Sequence, residues 1–234
     1  MLSERAHGEE YLDRPDVDRH HAENSYRFMR WVNRYLGGTR AVRQYIRSQP
    51  PGPLRVLDIG AGVCDIPLSV TRGARAGGRG VEFTCLETND DAIRVARQEI
   101  RHRRASGIRV VAEDVWAHRP AAPYDCAVGS MFFHHLPDDQ ILALLAHLRT
   151  FVRRSVLIND LRRTAGNYAG CLLATALLPP KVRHDALLSV RRSFRPGELR
   201  TLLEQMENVQ VEMHTLSFSR LATVVRFEQP DLPG

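Results

Sequence analysis

The segment Val56-Leu57-Asp58-Ile59-Gly60-Ala61-Gly62-Val63-Cys64-Asp65 constrains the architecture of this chain more than any other. An apolar run ends there in an acidic residue and a glycine turn, and a second apolar segment follows at once. That order specifies a strand, a tight turn and the start of a helix. Gly60 and Gly62 open backbone dihedrals closed to other residues, and they leave no side chain between the main chain and a ligand. The turn can therefore press against a cofactor, or serve as a packing turn.

Three further apolar runs repeat the theme. Val81 to Leu86 reads as a buried strand ending in Glu87, with Asn89-Asp90-Asp91 opening a helix; Ile108 to Ala112 ends in Glu113-Asp114; Tyr124 to Gly129 ends at Ser130. In right-handed strand-helix-strand units the carboxyl ends of neighbouring strands lie side by side. Glu87 then faces the Gly60 turn across a crevice, where a carboxylate can accept from a ribose diol. Ser155 to Ile158 supplies a fifth strand. Val209 to Phe218 and Leu221 to Phe227 read as a closing antiparallel hairpin.

With these residues in place the chain resembles the class I S-adenosylmethionine-dependent methyltransferases, in the small-molecule branch with the generic methyltransferase domain. The likeness runs from about Leu54 to Asp160, and Asp58-Ile59-Gly60-Ala61-Gly62 is its most specific part. It implies an α/β fold: a Rossmann-like, doubly wound, seven-stranded sheet, mostly parallel, with a C-terminal antiparallel hairpin and helical cap elements. It also implies S-adenosyl-L-methionine as cofactor. The methionine portion would meet Asp58, Gly60, Ala61 and Gly62; the ribose Glu87, with Thr88 beside it; the adenine Asp114 and Val115; and Ser130 would border the methyl. Cys64 stands where the family has a third glycine. A nicotinamide or flavin domain would need Gly or Ala at position 65; Asp65 would repel a pyrophosphate but suits a sulfonium donor carrying an ammonium group.

The same resemblance points to the segment Ser130-Met131-Phe132-Phe133-His134-His135-Leu136-Pro137 for catalysis. A positioned base accelerates such reactions about a hundred- to ten-thousandfold. His135, matching the family's hydrophobic-His-Leu pattern, is the preferred base, with His134 the alternative and the other ring a structural histidine. Phe132 and Phe133 line the acceptor channel or belong to the core. Arg162, Arg163, Arg191 and Arg192 are available for an acidic acceptor group, Arg192 first. No metal is expected, because Ser130 supplies no carboxylate after the fourth strand and Asn159-Asp160 alone makes a poor oxygen cage. The absence of an Asn/Asp-Pro-Pro-aromatic sequence argues against a nucleic-acid base as acceptor.

Outside the core, residues 1–53 form an N-terminal helical arm and cap, of which 1–16 read as a polar, loosely ordered stretch; residues 54–234 form the methyltransferase domain, with a helical insertion at about 161–195. Phe28, Met29, Val32, Tyr35 and Leu36 have helical spacing, and an apolar helix runs from Tyr168 to Leu178. Its leucines 172, 173, 177 and 178 either close a lid over the acceptor or complete the core or a homodimer face. The formal charge of +6 comes almost wholly from scattered arginines, Lys181 being the one lysine. That pattern, without interleaved aromatics, does not describe a nucleic-acid groove. Four cysteines without paired spacing, no apolar targeting run and no membrane-length apolar stretch indicate a cytoplasmic protein. The expected function is methyl transfer to a small, largely apolar acceptor, by O-methylation of a phenolic, polyketide- or quinone-like compound of bacterial secondary metabolism. The alternative is an inactive donor-binding module.

Overall fold

The computed structural model describes residues 2–14, 16–216 and 219–228; Phe218, the expected end of the first hairpin strand, lies outside them. Seven strands form one sheet: β1 Leu54–Ile59, β2 Val81–Glu87, β3 Ile108–Ala112, β4 Tyr124–Ser130, β5 Val152–Leu161, β6 Val209–Thr215 and β7 Arg220–Phe227. Their order is β3-β2-β1-β4-β5-β7-β6, parallel from β3 to β5, with β7 antiparallel to both β5 and β6. The order reverses between β1 and β4, which opens the ligand crevice beside the Gly60 turn.

Helices cover both faces. They are α1 Arg19–Tyr35, α2 Gly38–Ser48, α3 Asp65–Ala76, α4 Asp90–His102, α5 Asp138–Arg149, α6 Ala165–Ala174, α7 Pro180–Arg192 and α8 Pro196–Leu203. Side chains alternate along a strand, so Leu54 and Val56 of β1 pack with α2 and α3 on one face. Leu57 and Ile59 pack with α5 and α8 on the other. Although α2 was expected within the cap, it belongs to this core: Val42 is fully buried, and the Tyr45 hydroxyl donates to the Ser155 carbonyl at 3.0 Å.

The segments outside the core fold over the carboxyl edge of the sheet. Asp18 caps α1 by accepting from the His21 amide at 2.9 Å, and Ala22 and Tyr26 of α1 pack on Val63 of the glycine turn. Residues 2–14 are not loose. Arg5 donates to the carbonyls of Arg192 and Leu136, each at 2.9 Å, and the Asp185 carboxylate accepts the amides of Tyr11 and Leu12 at 2.8 and 3.1 Å. The expected apolar helix is shorter, ending at Ala174, where Thr175 Oγ1 donates to the Cys171 carbonyl at 2.7 Å. Leu173 and Leu177 are 78% and 99% exposed, so they do not complete the core. Among the described residues no helix is long and apolar enough to cross a membrane.

Candidate active site

Two adjoining hollows lie at the carboxyl edge. The first, about 70 Å3, is lined by Asp58, Gly60, Ala61, Gly62, Asp65 and Ser130 from the turn and β4, with Met29, Asn33 and Met131. Gly60 and Gly62 have φ of +60° and +52°, values that strain any other residue, and a Cβ on Gly62 would meet nothing within 4 Å. The Gly62 backbone is therefore open to a ligand. Cys64 takes the same left-handed conformation, φ +55°, although it has a side chain. Its thiol is fully buried, and the strain costs about 1–2 kcal/mol.

Glu87 organises the rim. Its Oε2 accepts the Gly62 amide at 2.7 Å, and its Oε1 accepts the amides of Thr88 and Asn89 at 2.9 and 3.0 Å. Thr88 thus offers the carboxylate its main chain. Asp114 is exposed at the end of β3, with Oδ1 accepting the Trp116 amide at 2.8 Å. The Val115 side chain is buried in the core cluster.

The electrostatics fit a cationic ligand. Burial pushes the Asp58 carboxyl well above its ordinary range, and the neighbouring Asp65 and Glu87 push it further. Asp65 is raised mainly by burial, opposed by the Asn33 amide, whose Nδ2 donates at 3.2 Å. A sulfonium donor with an ammonium group relieves this accumulation of negative charge, whereas a pyrophosphate adds to it. Because the cation favours the ionised carboxylates that the free protein resists, S-adenosylhomocysteine, which keeps the ammonium, is expected to bind more weakly as pH falls from 8 to 5.5. Calorimetric titration across that range checks this, and a flat profile would remove Asp58 and Asp65 from the site.

The second hollow, about 180 Å3, is the candidate acceptor cavity. Its walls are Phe28, Trp31 and Val32 of α1, Cys171 and Ala174 of α6, and Val182, Ala186 and Val190 of α7; Glu10, His134 and His135 form a polar corner. Met29, Asn33 and Met131 line both hollows. Met131, with φ +57°, turns the chain between them.

The structure corrects several expected roles. Neither Phe132 nor Phe133 lines the acceptor cavity. Phe133 is fully buried in the core, and the Phe132 ring sits so close over Gly60 that a Cβ there would lie 2.4 Å from its Cδ2. Arg192 is also absent from the cavity wall; it donates to the His135 carbonyl at 3.0 Å and stands 3.8 Å from Glu10 Oε1. Arg163 is 2% exposed and binds the carbonyls of Ser193 and Leu2 at 3.1 and 2.8 Å. Both histidines, rather than one, border the cavity, with ring centroids 4.2 Å apart.

Asp160 is not an isolated residue. Strand β5 runs past Ile158 because Asn159, Asp160 and Leu161 pair with Ala222, Leu221 and Arg220 of β7. Its buried carboxylate accepts the His134 amide at 3.0 Å and lies 2.7 Å from His134 Nδ1. Burial pulls the His134 pKa down, but the charge and hydrogen bond of Asp160, aided by Glu10, outweigh it and raise the value to about 9. His134 therefore holds both protons at neutral pH. His135 Nδ1 lies 3.1 Å from Asp13 Oδ2.

Residues 56–155 match the family model described as a methyltransferase domain. No curated protein matches the sequence. Among solved structures, the plantazolicin methyltransferase BpumL in complex with S-adenosylhomocysteine is 15% identical with a TM-score of 0.68, over 94% of this chain and 93% of that one. Magnesium protoporphyrin IX methyltransferase from Synechocystis PCC 6803, also with S-adenosylhomocysteine, is 18% identical with a TM-score of 0.56, over 87% of this chain and 95% of that one. The matched segment is a methyltransferase domain, and it holds the strands and glycine turn that open the crevice. Both of these solved structures hold S-adenosylhomocysteine, the demethylated form of the donor that the sequence resemblance implies for this chain.

Proposed function

We propose that this methyltransferase acts on a small, largely apolar acceptor, by O-methylation of a phenolic, polyketide- or quinone-like compound. The observation that carries the reading is the shared wall: Met29, Asn33 and Met131 separate an apolar cavity from the glycine-turn crevice. A cavity of about 150 Å3 holds benzene, so about 180 Å3 suits one substituted ring.

When bound, the cofactor supplies an electrophilic methyl group on a sulfonium. The protein's own contribution is alignment, worth roughly 7–11 kcal/mol in well-oriented reactions, together with exclusion of water by α1, α6 and α7. Asp58, the Gly60 to Gly62 main chain and Glu87 hold one partner, and the apolar walls hold the other. The acceptor's proton falls to the polar corner, and to His135 first, because His134 already carries its own.

His135→Ala is expected to lower kcat about 10²- to 10⁴-fold with S-adenosylhomocysteine affinity unchanged. A kcat within twofold of the parent enzyme would remove His135 from the reaction. The reading itself is tested by product mass after incubating phenols, quinols and single-ring carboxylic acids with labelled donor. Methylation confined to peptides or porphyrins would overturn it.

A further inference from the structure

One corner of the acceptor cavity holds more than methyl transfer alone requires. Among the described residues, Glu10, His134 and His135 each offer one ligand atom, and these atoms lie within 4.8 Å of one another. His134 is 2% exposed, yet its Nε2 has no hydrogen-bond partner. Leaving a buried polar atom unpaired costs about 1–3 kcal/mol. Glu10 Oε1 stands 3.6 Å from that nitrogen, beyond hydrogen-bond length. Two atoms bound tetrahedrally to one zinc-like ion, each at about 2.0–2.1 Å, lie about 3.4 Å apart. The Glu10–His134 spacing is close to that of neighbouring ligands, and the His135 ligand atom lies within 4.8 Å of both.

The groups behind the histidines point the same way. Metal-binding histidines usually hold a carboxylate on their other nitrogen, which fixes the ring and its tautomer. His134 Nδ1 has Asp160 at 2.7 Å, and His135 Nδ1 has Asp13 at 3.1 Å. Each ring is left with Nε2 for the ion, which on His134 displaces the proton that nitrogen carries in the metal-free protein, so binding releases a proton to solvent. Glu10, Asp13 and Asp160 surround the pair with negative charge; Arg192 faces Glu10 at 3.8 Å, and Arg220 lies behind Asp160.

We propose that Glu10, His134 and His135 bind a divalent transition-metal ion at the wall of the acceptor cavity, where an oxygen of the acceptor completes its coordination. Two imidazoles and a carboxylate suit zinc, manganese(II), iron(II) or cobalt(II). The ion's role rests on the acceptor reading above, whereas its binding does not; with the ion in place His135 acts through it.

The test uses the full chain, stripped with a chelator and titrated with cobalt(II). The expected result is one equivalent bound, with visible absorption bands of a nitrogen- and oxygen-ligated ion that zinc abolishes. Glu10→Ala and His135→Ala are expected to weaken binding at least tenfold. Asp13→Asn, at a half-exposed side chain remote from the core, weakens it about ten- to a hundredfold without threatening the fold. Absent bands, or equal affinity in all three variants, overturns the proposal. So does saturation of the corner by benzoate with no cobalt uptake, which would assign it to an acidic group instead. Cobalt uptake without methylation of any small-ring acceptor leaves the ion site standing and sinks the acceptor reading; methylation without cobalt uptake does the reverse.

Discussion

Glu87→Ala is expected to weaken S-adenosylhomocysteine binding by more than about a hundredfold, or roughly 2.7 kcal/mol. A hydrogen bond to a charged group is worth about 1.5–3 kcal/mol, so one lost ribose contact accounts for part of this. The remainder comes from the turn. The carboxylate gathers the amides of Gly62, Thr88 and Asn89, and removing it leaves all three without their acceptor and the glycine turn tied to β2 only through the Ala61 amide on the Leu86 carbonyl. Glu87→Gln keeps the shape and one carbonyl oxygen, and its loss should be about tenfold, since one charge-assisted bond becomes neutral. Calorimetric titration separates the cases. Equal affinity in the parent and Glu87→Ala would show that the crevice does not hold the nucleoside.

The second large effect is on stability. Asp160→Ala strips the acceptor from the His134 ring, the His134 amide and the Leu161 amide in a fully buried site. Breaking a buried ion pair by removing one partner costs about 3–5 kcal/mol, and a chain of this length loses about 2–4 °C per kcal/mol. The melting temperature at pH 7 should therefore fall by roughly 6–20 °C. The pH dependence carries the sign. His134 is raised from 6.5 to about 9 in the folded protein. Its contribution is complete below the unfolded value and disappears as pH climbs through the folded one. The parent protein, in chelator, should lose up to about 3 kcal/mol between pH 6.5 and 9, and Asp160→Ala should be flat over that window. Identical melting profiles would show that the pair is not charged.

The donor half of the enzyme was readable because its signals are local. Gly60, Gly62 and the acidic ends of β2 and β3 lie within a few residues of the strands they terminate, and strand order follows from the handedness of the crossovers. The acceptor half is assembled from distant parts. Glu10 looked like one carboxylate in a polar arm, and nothing nearby in sequence reveals that Ser189 donates to it at 2.8 Å from α7. Asn159-Asp160 resembled the polar end of a strand, and only pairing with β7 extends β5 and buries Asp160. The chemistry of Phe132 and Phe133 fits a channel or the core equally, and their positions beside Gly60 and Gly129 decide for packing. His134 and His135 adjoin in sequence, but their carboxylate partners, Asp160 and Asp13, come from distant segments.

The wall around the acceptor has a further consequence. Apart from Met131, His134 and His135, it is drawn from Glu10, Leu12, α1, Leu36, Leu161, α6 and α7, outside the stretch 56–155 that matches the family model. Selection can remodel these outlying pieces without disturbing the machinery that grips the nucleoside. Two descendants of one ancestor can thus diverge in what they modify while their alignable portions stay nearly alike, and likeness in that portion is a poor guide to the compound each one alters.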